Sequence, residues 1–256
     1  MYSDFAFGGQ LDDLDMDLEV PFVPTDERVV EAMLELGGVD ADDVLYDLGS
    51  GDGRIVVAAA RDHGARAVGV EIDPVRVSLA GAYAAQMGVE HMACFIEADL
   101  FDADFAPATV VTLYLLNSVN LGLRPRLLNE LQPGARIVSH AFDMGDWRPD
   151  RKMTSRDTSI YLWIVPAKVA GDWHWQTADG QHYRVVLEQK YQKLQGSAWV
   201  GGEPAKLRTA TLWGDLLELI IEPEGAERPV SIVMHCRDDC LVVVDGPQKG
   251  VVAHLQ

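Results

Sequence analysis

The feature that most constrains this chain is an apolar strand that runs through a glycine-rich loop directly into a helix. Val44–Leu48 is a buried-strand run, Gly49, Gly51 and Gly53 stand at alternate positions after it, and the alanine-rich segment Arg54–His63 follows with helical periodicity. Glycine lets the backbone turn sharply there and leaves no side chain between it and a ligand. In an open α/β sheet such a loop lies at the carboxyl edge of the strands, where ligands bind. Strands and helices keep alternating afterwards. A strand is expected at 67–70, a helix at 75–87 opened by Pro74 and stopped by Gly88, strands at 93–97 and 110–115, a helix at 120–131, and a strand at 136–141 behind Pro133-Gly134. That pattern predicts an α/β fold with a doubly wound, mainly parallel sheet, to which 159–165 adds a late edge strand. Ahead of it, Thr25 is expected to cap a helix whose apolar stripe is Val29, Val30, Met33, Leu34 and Leu36 and which Gly37-Gly38 ends.

The texture changes near Ala167. Tyr183, Val185, Leu187, Gln189 and Tyr191 alternate with Arg184, Val186, Glu188 and Lys190, a period of two. Asp179-Gly180, Gly201-Gly202, Gly225 and Asp245-Gly246 punctuate further short runs. The expected organisation is therefore an acidic flexible tail at 1–20, an α/β domain at 21–166, and a small antiparallel β barrel or sandwich at 167–256.

The formal net charge of -19 disfavours a nucleic-acid partner, because the basic stretch at 148–156 is diluted by Asp150 and flanked by Asp146 and Asp157. Cys94, Cys236 and Cys240 match neither an even disulfide framework nor a structural zinc spacing. His235, Cys236 and Cys240 are read as strand residues, and no metal is expected. The N-terminus lacks a secretory pattern and no apolar run reaches membrane-spanning length, so the expectation is a cytoplasmic protein away from the membrane.

The loop Asp47-Leu48-Gly49-Ser50-Gly51-Asp52-Gly53-Arg54 departs from the dinucleotide fingerprint, whose third glycine is replaced here by Arg54. Asp47 and Asp52 would repel a pyrophosphate, whereas a ligand carrying an ammonium and a sulfonium is attracted by carboxylates. The charge pattern favours S-adenosylmethionine. Glu71 ends the second strand, where doubly wound folds place an acid on the ribose hydroxyls. Asp99 follows the third strand, where it can accept from an adenine amino group.

With these residues the chain resembles class I, Rossmann-like S-adenosylmethionine-dependent methyltransferases: residues 47–53 match their glycine motif, Glu71 their ribose acid and Asp99 their adenine-side acid. The closer resemblance is to the lysine methyltransferases of the archaeal broad-specificity and mitochondrial FAM173-like type, with a fainter echo of the Dot1 histone enzymes. It rests on Val23-Pro24-Thr25, Tyr46 through Arg54, and Thr112 to Leu116 continuing through Asn120 to Arg124-Pro125, and is extended by residues 128–131, Pro133-Gly134 and 137–139. The resemblance implies that Pro24 and Thr25 close over the cofactor. The full cofactor-binding set expected is then Pro24, Thr25, Asp47, Gly49, Ser50, Gly51, Gly53, Glu71, Ile72, Asp99 and Leu100. The minimal archaeal enzymes lack the added C-terminal β domain.

Tyr114, Asn117 and Asn120 are the expected catalytic, acceptor-side residues, since they follow the fourth strand where an acceptor would meet the methyl group. The chain has no Asn-Pro-Pro-Tyr there, which disfavours methylation of adenine or glutamine amides. His140, Asp143 and Trp147 are further pocket candidates, and Trp173 with Trp175 form either a recognition surface or barrel core. Three readings stand open: a protein lysine methyltransferase, a small-molecule N-, O- or S-methyltransferase, and a non-catalytic cofactor sensor. Its partner is the methyl acceptor, protein lysine or small molecule, and the chain itself is a monomer or homodimer.

Overall fold

A computed structural model describes residues 23–237 and 240–256, so the acidic tail expected at 1–20 lies outside the described residues. The N-terminal part is a seven-stranded sheet in the order β3-β2-β1-β4-β5-β7-β6. Its strands are β1 (Val44–Leu48), β2 (Arg66–Glu71), β3 (Ala93–Glu97), β4 (Val110–Leu113), β5 (Arg136–His140), β6 (Arg151–Ser155) and β7 (Thr158–Ile164). Helices α1 (Glu27–Gly37), α2 (Arg54–His63), α3 (Pro74–Gln86) and α4 (Asn117–Glu130) cross between them. β1 to β5 run parallel, and β7 pairs antiparallel with both β5 and β6.

The alternation of elements is as expected, with three differences, the first being that β7, expected at 159–165 as the edge strand, lies inside the sheet between β5 and β6. The cap of α1 is Asp26 rather than Thr25: its carboxylate accepts from the Arg28 amide at 2.9 Å, because the chain turns into the helix one residue later. β6 was not anticipated, since its Arg and Lys residues read as a solvated basic stretch. It forms as an edge strand, where one ladder suffices and charged side chains stay in water.

Two apolar layers hold the sheet. Val29, Met33 and Leu34 of α1 and Val56 and Val57 of α2 pack on one side with Leu45 and Val110. Leu123 and Leu127 of α4 pack on the other with Leu48, Leu113 and Ile137, joined by Trp147 and Trp163. No helix among the described residues is long and apolar enough to cross a membrane.

Eight further strands close into an antiparallel barrel in the order β10-β11-β12-β13-β14-β15-β8-β9. They are β8 (Gly171–Gln176), β9 (His182–Lys190), β10 (Lys193–Val200), β11 (Glu203–Trp213), β12 (Leu216–Pro223), β13 (Val230–Arg237), β14 (Cys240–Asp245) and β15 (Val252–Leu255). The barrel alternative, not the sandwich, is therefore realised, and closure through the β15–β8 pair removes the open edges a sandwich would leave. Alternate residues such as Val185, Leu187, Leu217, Leu219 and Ile221 fill its interior. Trp173 and Trp175 belong to that packing, each 4% exposed, with indole N–H groups donating to the Val169 carbonyl and to Gln248; they are not a recognition surface.

Barrel and sheet meet along a seam. Gly214, at the β11–β12 turn, is so close to Gly134 that a Cβ added to it would lie 2.9 Å from the Gly134 Cα. The tip of the β9–β10 hairpin, Tyr191-Gln192, reaches the loop between β5 and β6: the Trp147 indole donates to Gln192 at 3.0 Å, and Gln192 donates to the Arg148 carbonyl at 2.8 Å. Lys190 pairs with Asp146 at 2.9 Å, but both are exposed, so the partly buried Trp147–Gln192 bond contributes more. Replacing Leu219, which is 1% exposed, by alanine should destabilise the protein by about 2–5 kcal/mol in a urea melt, the range for a truncated core leucine.

Candidate active site

Three glycines shape the loop after β1. Gly49, Gly51 and Gly53 have φ of 80°, 54° and 80°, so each alternate residue is left-handed and a side chain at any of them would be strained. The amides of Gly49 and Ser50 donate to the Val70 carbonyl at 2.8 and 3.0 Å, which ties the loop to the end of β2. Glu71 completes the tie: its two carboxylate oxygens accept from the amides of Gly51, at 2.8 Å, and Asp73, at 3.0 Å. Gly69 also belongs to this arrangement. A Cβ there would sit 2.5 Å from Phe95 and 2.6 Å from the Ser50 hydroxyl, so the loop can close on β2 only over a glycine. Its signal in the sequence is a lone glycine inside an apolar strand, which marks a close approach.

A cavity of about 360 Å³ opens beside this loop at the carboxyl edge of the sheet. Pro24, Thr25, Asp47, Gly49, Ser50, Glu71, Ile72, Asp99 and Leu100 line it, as does Tyr114. Gly51 and Gly53 lie outside that lining and act through the backbone turn. Sequence reading passed over Arg76, Phe101, Leu115 and Val119, which also line the cavity. Phe101 is 36% exposed two residues beyond Asp99, an aromatic left at the surface where a planar ligand can cover it.

Arg54, which takes the place of the fingerprint's third glycine, closes one side. Its guanidinium pairs with Asp52 and donates to the Thr25 carbonyl at 2.6 Å, so it fastens the segment before α1 to the glycine loop. Pro24 and Thr25 are thus held at the cavity by a contact that spacing alone does not reveal.

The acceptor-side candidates separate. Tyr114 stacks on His140, with centroids 3.9 Å apart and planes at 30°. Asn117 is exposed and donates to Asp143. Asn120 is fully buried and donates to Ser139 at 3.2 Å and the Phe142 carbonyl at 3.3 Å. Both asparagines lie outside the cavity lining and hold the loop after β5 instead. Trp147 is not a pocket wall: it is 0% exposed and packs against Trp163, because a large indole behind β5 is driven into the core. His140 is buried, and burial lowers its pKa, which keeps the imidazole neutral at pH 7.

The site is acidic and nearly buried at its base. Asp47 is 3% exposed and accepts from the Thr112 hydroxyl at 2.7 Å. Burial pushes its carboxyl up to about 7, against the lowering effect of Thr112, with Asp52 and Glu71 adding repulsion. The Ser50 hydroxyl is buried with no hydrogen-bond partner among the described residues. Glycine turns with no room for side chains and acids around a cavity of this size suit a cationic, ribose-bearing ligand such as S-adenosylmethionine.

The strand order, the glycine loop and this cavity define a class I S-adenosylmethionine-dependent methyltransferase. The family model described as the ANTKMT methyltransferase domain matches residues 47–151. A protein-lysine N-methyltransferase of Saccharolobus islandicus (strain REY15A) is 44% identical over 151 residues, covering 57% of this chain and 94% of that enzyme. The Mus musculus adenine nucleotide translocase lysine N-methyltransferase is 37% identical over 132 residues, covering 52% of this chain and 57% of its own length. The chain thus spans little more than half of that relative. A Salinibacter ruber RNA methyltransferase solved with S-adenosyl-L-homocysteine is 56% identical, with a TM-score of 0.57, covering 57% of this chain and 96% of that one. This chain belongs to the protein-lysine N-methyltransferase family.

The raised Asp47 has a definite consequence for stability. A carboxyl that titrates near 7 when folded and near 3.8 otherwise leaves the folded state holding the extra proton between those values. Its contribution is therefore fully present below about 4 and lost as pH rises through about 7. Urea melts from pH 4 to 8 should show a fall in stability with rising pH that is flatter in Asp47→Asn.

Proposed function

We propose that this chain transfers the methyl group of S-adenosylmethionine to lysine side chains of proteins. The observation that carries the reading is the 44% identity to the Saccharolobus islandicus protein-lysine N-methyltransferase across 94% of that enzyme. Charge points the same way. A net charge of -19 repels the phosphates of RNA and attracts a segment bearing ammonium groups, which weighs against carrying over the activity of the Salinibacter ruber relative.

The cofactor, when bound, supplies a methyl carbon activated by the sulfonium. In this reading Glu71, already holding the glycine loop, offers its remaining lone pairs to the ribose hydroxyls, and Asp99 accepts from the adenine amino group. Ile72 and Leu100 flank the adenine ring, and Pro24 and Thr25 close over the cofactor. Asp47 lies at the base as counter-charge to its ammonium, and the ionised carboxylate is favoured once that cation arrives.

Tyr114, Leu115 and Val119 then form the wall past which the acceptor amine approaches. A lysine with a reference pKa near 10.4 must lose a proton before it attacks, and an apolar wall backed by a neutral His140 favours the uncharged amine by desolvation. Alignment of the two reacting atoms does the rest. Asn117 and Asn120 contribute by holding the adjoining loop.

Two measurements check the reading. Glu71→Ala should weaken S-adenosylhomocysteine binding by about ten-fold or more in calorimetry, as expected for loss of hydrogen bonds to a charged group; unchanged affinity would remove the ribose role. Methyl-labelled S-adenosylmethionine should label the protein fraction of host lysate as methyl-lysine that survives acid hydrolysis. Label confined to RNA or to small molecules would overturn the lysine reading in favour of that acceptor.

A further inference from the structure

The family match ends at residue 151, before the barrel begins, yet the barrel's polar contacts with the loop after β5 lead towards the acceptor side of the cavity. The β9–β10 tip holds the loop between β5 and β6 at several points. Tyr191 has φ of 57°, as the two-residue turn between Lys190 and Lys193 requires; its ring stacks on Trp147 with centroids 5.7 Å apart, and its hydroxyl donates to Asp146 at 3.0 Å. Gln192 accepts from the buried Trp147 indole and donates to the Arg148 carbonyl and to Asp150. Arg124 of α4 joins the same cluster, donating to the Met144 carbonyl and Asp146, both at 2.7 Å, beneath the Tyr191 ring.

The other end of that loop touches the acceptor wall. Ala141, immediately after His140, is held at φ of 66°, a conformation that costs a side-chain-bearing residue energy and persists only where neighbours enforce it. The bonds around it are that of its own amide to the Ser159 carbonyl of β7, at 2.8 Å, those from Ser139 and Asn120 to the Phe142 carbonyl, and that from Asn117 to Asp143. Asn117 and Asn120 bracket Val119, which lines the cavity, and His140 stacks on Tyr114, which lines it too. A continuous set of contacts therefore runs from the hairpin tip through residues 141–150 to Tyr114 and α4. The glycine loop and Glu71 stand apart from it.

We propose that Gln192 and Tyr191 are positioning residues for methyl transfer: by fixing residues 144–150 they hold the 141–143 turn against the Tyr114 and Val119 wall, which makes the barrel a structural part of the acceptor side. The inference rests on methyl transfer by this site and not on which acceptor is used. It divides the site into a cofactor half independent of the barrel and an acceptor half braced by it.

The full-length protein tests this division in three variants. Gln192→Ala removes the bridge, Tyr191→Phe removes only the bond to Asp146, and Arg208→Ala, an exposed barrel residue paired with Glu222, serves as control. For Gln192→Ala, S-adenosylhomocysteine affinity in calorimetry should stay within about two-fold of wild type, while the rate of methyl transfer from labelled S-adenosylmethionine into host lysate falls about ten-fold, as displaced alignment implies. Amide hydrogen exchange should quicken at 114–120 as well as at 141–147 and stay unchanged at 49–54. Tyr191→Phe should give the same pattern more weakly, and Arg208→Ala none of it. Exchange that quickens only in the barrel and at 144–150, transfer at the wild-type rate, or cofactor affinity that falls in step with transfer would each overturn the proposal. The lysate fraction that carries label bears on the acceptor class alone, and if no fraction is labelled the exchange pattern still decides.

Discussion

The carboxylate of Glu71 accepts from the Gly51 amide with one oxygen and from the Asp73 amide with the other, and most of the cofactor site depends on that pair of hydrogen bonds. It joins two turns at the carboxyl edge of the sheet, the one leaving β1 and the one leaving β2. Charge-assisted bonds of this kind are stronger than neutral ones, and here they are made within a buried site. The glycine loop needs such a restraint because three left-handed residues in seven positions give it a large entropy in the unfolded chain. Once Glu71 and the Val70 carbonyl hold it, the loop's backbone becomes a rigid floor. An acid at this position thus does structural work before any ribose arrives.

Charge at the floor follows the same economy. Asp47 lies nearly buried beneath the loop, with Asp52 and Glu71 nearby, and that setting disfavours its ionised form. A protein stabilised only for its own sake would have no carboxyl there. Its presence makes sense if a cation completes the site, since a bound ammonium removes both the repulsion among the acids and the cost of ionising Asp47. Attraction for a cationic ligand is then set by the folded protein's discomfort without it.

Much of this was legible in the sequence, for reasons that can be named. Gly49, Gly51 and Gly53 stand out because only glycine tolerates their φ, and Glu71 and Asp99 because strand ends are fixed by apolar runs such as Val44–Leu48. Local rules suffice there. They fail where a role is assigned by long-range packing: Arg54 reaches Thr25 across 29 positions, and Trp147 enters the core through a loop whose course no periodicity signals. Asn117 and Asn120 sit in the expected stretch but turn towards residues 139–143, which sequence spacing cannot distinguish from turning towards a cavity. β6 was illegible for a further reason, since an edge strand needs no apolar alternation when one ladder and a short turn suffice.

The two halves of the cavity are built by different means, and this bears on how a fixed chemistry can meet different acceptors. The cofactor half consists mainly of strand ends and a loop bonded to them, within residues 47–101 and inside the segment that matches the family model, with Pro24 and Thr25 added from before α1. The acceptor half begins on β4 and α4, but its outer support is a loop whose strained Ala141 is held by β7 through the Ser159 carbonyl and whose residues 146–150 are also bonded by the β9–β10 tip. A loop in that state adopts whatever geometry its neighbours impose. Beyond residue 151 its neighbours are β7 and the barrel, and the barrel's closed and filled interior gives the β9–β10 tip a rigid base. Changing such a base can move the acceptor wall without disturbing Glu71, Asp47 or the glycine loop. An appended barrel is therefore a route to altering what is methylated while leaving the methyl donor's site intact.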